Sequence, residues 1–219
     1  MRKIGWRVAP LVGVVMMGLS APLAARAEVV IAALGDSLTQ GYGLAQDSGF
    51  VPQLQGWLTG QGSEVRLVNA GVSGDTTAGG AARVGWTLTD DVDGMIVALG
   101  ANDLLRGIDP AVARANLDTI LQAAQAAGVA VLLVGFEAPL NYGADYKASF
   151  DAIYPELSAQ YGTLYADSFF AGLLGEGGSA TDLAPYLQAD RLHPNAEGVA
   201  RIVEGLGPKV LDLARQAGG

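Results

Sequence analysis

Five short apolar runs recur along the chain: Val29 to Leu34, Val65 to Val68, Met95 to Leu99, Val129 to Val134 and a weaker Leu164 to Ala166. Each is nearly continuous in apolar residues rather than alternating, the habit of parallel strands covered on both faces. Between them lie segments with helical spacing near 50–60, 76–89, 110–127 and 144–160. The third has the clearest ends, with Asp109 as N-cap, Pro110 at the first helical position and Gly128 just past the last turn. A final helix carries Val199, Ile202, Val203, Leu206, Val210 and Leu213 on one stripe, and a bend is expected at Gly207-Pro208. Strand and helix alternate throughout without repeat or linker. The pattern predicts a doubly wound α/β fold, a three-layer α/β/α sandwich around a parallel sheet of five strands.

The first residues do not belong to that alternation. Arg2, Lys3 and Arg7 form a basic start, Leu11 to Leu19 an apolar run, and Ala25-Arg26-Ala27 places small residues at the two positions a signal peptidase reads. Residues 1–27 are therefore expected to be a signal peptide cleaved before Glu28, leaving one domain over 28–219 in the periplasm or outside the cell. The apolar run falls short of the roughly 20 residues of a membrane span, so no stable membrane anchor is expected. Cleavage removes four of the thirteen basic residues and no acid, taking the formal net charge from −9 to −13. Such a surface repels phosphate backbones, so nucleic acid is not an expected partner. The absence of cysteine excludes disulfides, thiolate catalysis and thiolate metal sites together. With half its residues apolar, the chain can hold its fold by packing alone, and a monomer is expected.

In open parallel sheets, ligands bind at the carboxyl ends of the strands. Three polar clusters follow strands directly: Gly35-Asp36-Ser37, Asn69 to Thr76, and Gly100-Ala101-Asn102-Asp103. They would bring Ser37, Gly74 and Asn102 to one sheet edge. The chain's single histidine, His193, follows Asp190 by three residues and precedes the last helix, from where it can fold back over that edge. A serine hydroxyl needs a base to take its proton, and the base needs an orienter that fixes its tautomer. Ser37, His193 and Asp190 can supply these roles. Acyl transfer also needs donors for an oxyanion, and the backbone N–H groups of Ser37 and Gly74 with the side-chain amide of Asn102 are candidates. Each residue taken alone has an ordinary reading as a cap, a turn or a loop acid; their conjunction points to a serine hydrolase.

These clusters resemble the four sequence blocks of the SGNH (GDSL) hydrolases. Gly35-Asp36-Ser37-Leu38, Gly74 within Val72-Ser73-Gly74-Asp75, Asn102 within Gly100-Ala101-Asn102-Asp103, and His193 within Asp190-x-x-His193-Pro194 occur in the family's order. Asn141-Tyr142-Gly143 and Ala152-Ile153-Tyr154-Pro155 are similar to the bacterial periplasmic thioesterase, arylesterase and lysophospholipase subgroup, and the resemblance runs from about residue 29 to the last helix. It implies a flavodoxin-like sheet and a catalytic triad of Ser37, His193 and Asp190. It also implies oxyanion donors at Ser37, Gly74 and Asn102, no metal and no organic cofactor, and small acyl esters, thioesters or lysophospholipids as substrates. Two positions depart from the pattern. Arg191 stands where relatives often have glycine, so the loop must be reshaped if that position needs a positive φ. Ala101 replaces a common glycine.

Other chemistries fit less well. No Gly-x-Ser-x-Gly elbow occurs, one imidazole is too few for a zinc hydrolase, and the phosphate-loop and dinucleotide-binding glycine patterns are missing. A carboxylate-pair glycosidase could be assembled from Asp36, Asp75, Asp103 and Asp190, but it leaves Ser37, Asn102 and His193 without a role. A carbohydrate O-acetylesterase of the same fold and a non-catalytic periplasmic binding module remain as alternatives. The Gly79-Gly80 pair reads either as part of a mobile flap over the site or as a break ahead of a helix.

Overall fold

A computed structural model describes residues 28–174 and 180–218, together with residues 1 and 3. The expected signal peptide and its cleavage site therefore lie almost wholly outside the described residues. Strands β1 (Val29–Gly35), β2 (Val65–Gly71), β3 (Gly94–Ala98), β4 (Ala130–Val134) and β5 (Leu164–Ala166) form one parallel sheet in the order β2-β1-β3-β4-β5. The helices are α1 (Ser37–Gln40), α2 (Phe50–Gly60), α3 (Thr77–Thr87), α4 (Ala101–Arg106), α5 (Pro110–Ala126), α6 (Ala144–Asp151), α7 (Ile153–Tyr161), α8 (Ala171–Leu174) and α9 (Ala196–Ala217). On one face α9 packs across β1, β3, β4 and β5 and against α2 and α8; on the other, α3 touches β1 and α5, and α5 and α7 cover β4 and β5. This is the expected α/β/α sandwich with a flavodoxin-like strand order. Ile31, Ala32, Ala33 and Leu34 are fully buried between the two helix layers, which is why β1 reads as an unbroken apolar run. No described helix is long and apolar enough to cross a membrane.

Strand order reverses between β1 and β3, which opens a crevice at their carboxyl ends. Register places Gly35 beside both Gly71 and Ala98, so the three polar clusters leave the sheet side by side. The local expectations hold in part. Asp109 does cap α5, accepting from the Ala111 N–H at 2.8 Å. The segment 144–160 divides into α6 and α7 at Ala152, because Pro155 has no N–H to give and its ring crowds the carbonyl four residues back. Helix α9 runs on unbroken through Gly207-Pro208, and Gly207 serves packing: a Cβ there would lie 2.7 Å from the Trp57 ring. Gly79 and Gly80 sit within the first turns of α3, where added Cβ atoms would meet the Asp75 carboxylate at 2.3 Å and Leu99 at 2.2 Å. Both readings of that pair give way to this close packing.

Candidate active site

The turn after β1 folds at once into α1, with Asp36 as N-cap accepting from the Leu38 N–H at 3.0 Å. This fixes Ser37 at the first helical position, at the carboxyl end of β1. His193 lies on a loop ahead of α9. The loop is folded by Asp190, whose Oδ1 accepts from the backbone N–H groups of Leu192 (2.9 Å) and His193 (3.0 Å). Its other oxygen lies 2.7 Å from His193 Nδ1, and His193 Nε2 lies 2.8 Å from Ser37 Oγ. Three residues named from sequence, 156 positions apart at the extremes, thus form one hydrogen-bonded line. The imidazole hydrogen bond, followed by those two amides, holds the Asp190 carboxyl down to about 2. The carboxylate stays ionised at any ordinary working pH and pins the ring so that Nε2 can accept the serine proton.

Gly74, Asn102, Ser37, Asp190 and His193 all line one cavity of about 980 Å³. Gly74 has φ +84, a Cβ there would lie 3.8 Å from Arg106 Nη2, and Arg106 donates to the Gly74 carbonyl at 2.8 Å. Asn102 lies in the first turn of α4. The turn leading to it needs Gly100, whose φ is +127 and whose Cβ would fall 2.1 Å from Tyr154 Oη, the donor to Leu99 O. Asn102 Nδ2 donates one hydrogen to Asp36 Oδ2 at 3.1 Å, which leaves the second for a ligand. Burial pushes Asp36 up to about 6 against the opposing hydrogen bonds from Leu38 and Asn102. Much of the remaining wall is apolar: Leu38, Leu104, Leu105, Phe136, Pro139, Phe170 and Leu183, with Tyr42, Tyr142 and Leu192 exposed among the lining residues.

The other carboxylates are occupied. Asp103 is fully buried and accepts from Thr77 N (2.8 Å) and Thr77 Oγ1 (2.6 Å). Asp75 pairs with Arg83 Nε at 2.6 Å, and the same guanidinium donates to Ala70 O and Gly35 O, tying the ends of β1 and β2 together. The carboxylate-pair arrangement therefore has no free pair to work with. Arg191 answers the question its position raised. It has φ 58, the one non-glycine residue with positive φ among those described, and the loop keeps its shape because arginine itself adopts the left-handed conformation. That conformation costs about 1–2 kcal/mol.

Sequence reasoning missed three residues here. Asp36 figured only as a motif member and a spare acid. Arg83 lies mid-helix with nothing to mark it. Tyr42, whose ring centroid is 4.8 Å from that of His193, carries no signal beyond lying five residues after the serine.

Known proteins resemble the chain over most of its length. Residues 33–201 match the model of the GDSL-like Lipase/Acylhydrolase family. The chain is 38% identical to Esterase TesA of Pseudomonas aeruginosa, over 82% of this chain and 87% of that protein. It is 32% identical to the Thioesterase 1/protease 1/lysophospholipase L1 of Escherichia coli K12, over 82% of each. Among solved structures, the psychrotrophic esterase EstA from Pseudoalteromonas sp. superposes with a TM-score of 0.75 at 29% identity, covering 84% of this chain and 97% of that one.

Proposed function

The chain belongs to the GDSL-like lipase/acylhydrolase family, and from that premise we propose that it is an exported esterase working through an acyl-enzyme on Ser37. Neutral His193 takes the Ser37 proton at Nε2 while Oγ bonds to the ester carbonyl carbon. The carbonyl oxygen becomes an oxyanion facing Ser37 N–H, Gly74 N–H and the free N–H of Asn102. Protonated His193 then gives its proton to the departing alkoxide or thiolate, the carbonyl re-forms and the acyl group stays on Ser37. Water repeats the sequence, with His193 again as base, and releases the acid. Asp190, ionised throughout, stabilises the imidazolium and keeps the tautomer. All five residues come from one chain, so one copy suffices, and residues 28–219 constitute the catalytic domain.

The observation that carries this reading is the Asp190–His193–Ser37 line, with separations of 2.7 and 2.8 Å, opening on the 980 Å³ cavity. The cavity's apolar wall favours a fatty or aryl acyl ester, a thioester or a lysophospholipid over an acetylated sugar. A binding module has no use for a base within hydrogen-bond reach of a hydroxyl. Ser37→Ala should abolish turnover of p-nitrophenyl esters and leave folding intact, and a fluorophosphonate should label the wild type at Ser37 alone. Unchanged turnover, or label on another serine, would remove the assignment. A chain-length series run beside acetylated xylan decides the substrate class: peak rates on xylan would favour the O-acetylesterase.

A further inference from the structure

The nucleophile and its base arrive from opposite ends of the chain, and beside the Tyr42–His193 ring contact the Gln188 side chain ties their segments together by hydrogen bonds. Gln188 Nε2 donates to Tyr42 O at 2.9 Å, a contact across 146 positions, and also to Pro194 O at 2.9 Å. Its backbone N–H donates to His193 O at 2.8 Å, and its carbonyl accepts from Arg191 N at 2.9 Å. Tyr42 in turn is fixed to the nucleophile, since its N–H donates to Ser37 O at 3.1 Å. A continuous chain of hydrogen bonds therefore runs from the Ser37 backbone through Tyr42 and Gln188 to the His193 backbone, parallel to the Ser37 Oγ–His193 Nε2 contact. The next residue along makes room for it: Gly43 has φ +75, and a Cβ there would lie 2.2 Å from Gln188 Oε1.

We propose that Gln188 is a positioning residue that holds the His193 loop in register with the Ser37 turn. The inference rests on the reading of Ser37 as nucleophile and His193 as its base. The loop has internal support without Gln188's side chain. Leu187 bridges Pro194, and Asn195 N donates to Tyr186 O at 2.8 Å. Those contacts shape the loop but do not reach the nucleophile segment. The Gln188 amide does, using both its hydrogens on carbonyls from the two sides. Its loss leaves the loop folded and free to shift against Ser37, and a shift of about 1 Å in a reacting pair costs on the order of 100-fold in rate.

Two variants test this. Gln188→Met keeps the length of the side chain and removes the donor; Gln188→Lys restores a donor at the end of a similar chain. The Met variant should lose about 10- to 100-fold in kcat with KM within about twofold and its thermal midpoint unchanged, and the Lys variant should recover most of that loss. Because His193 is the only histidine, its Nδ1 proton gives a single NMR signal. Its exchange with solvent should accelerate in Gln188→Met and slow again in Gln188→Lys. A Met variant that keeps kcat, or that loses activity only by losing its fold, overturns the proposal, as does an exchange rate equal in all three proteins. Fluorophosphonate labelling of the wild type is the control: failure to label Ser37 removes the catalytic reading itself, whereas normal labelling with an indifferent Gln188→Met removes only the brace.

Discussion

Asp36 caps the short helix that carries Ser37 and is fully buried. Its carboxyl is raised from 3.8 to about 6, with burial as the main cause. The folded chain therefore takes up this proton at a higher pH than the unfolded chain does. The stability linked to Asp36 is fully present below about pH 4 and is lost as pH rises through 6. The shift corresponds to about 3 kcal/mol across that window. Urea unfolding of wild type and Asp36→Asn, compared between pH 4 and 7.5, should show the wild type losing up to that amount relative to the variant. A difference that stays flat with pH would mean the carboxylate is better solvated than its burial implies. Around it, the candidate site was legible where chemistry is local: the lone His193 with Asp190 three residues before it, and the polar turns ending apolar strands. What was not legible depends on contacts across the fold. Nothing near Gln188 in sequence marks it as the partner of Tyr42, and Asp36 looks like any turn acid until the strands close over it.

At the level of elements, the strands were readable because burial on both faces leaves one kind of residue. The short helices were not, since α1 and α4 follow polar turns and are too brief for an apolar period to show. Helix α9 shows how packing overrides local preference. Glycine weakens a helix interior by about 0.5–1 kcal/mol relative to alanine, yet Gly207 lets α9 lie against the Trp57 ring of α2. Gly207→Ala should destabilise the protein by about 1–2 kcal/mol, because overpacking typically costs about 1–3 kcal/mol and exceeds the helical gain. Gly56→Ala in α2, where an added Cβ meets nothing within 4 Å, should stabilise by about 0.5–1 kcal/mol. Opposite signs for the same substitution, read from urea midpoints, are the expected result. Equal signs would mean that α9 can move away from α2 at little cost.

On the scale of the whole molecule, the doubly wound order lets residues from both ends of the sequence meet at one sheet edge, and it also limits how the chain can be trimmed. Strand β1 begins at Val29 and lies between β2 and β3, with Val29 paired to Val65. Processing much beyond residue 28 would remove part of a central strand and the main support of Ser37. Processing after Ala27 leaves that strand whole and keeps Glu28, whose carboxylate lies 3.4 Å from Arg66 Nε on β2. Among the described residues, the sheet begins at Val29 and the cavity lining at Asp36. A chain made as residues 28–219 should fold and turn over p-nitrophenyl esters at the rate of the protein produced from the full sequence. If the proposed export holds, intact-mass analysis of the protein recovered from cells making the full sequence should find Glu28 as its first residue. A mature form that keeps Met1 in the membrane fraction would make the basic, apolar start an anchor, and one beginning several residues after Val29 would contradict the place of β1 between β2 and β3.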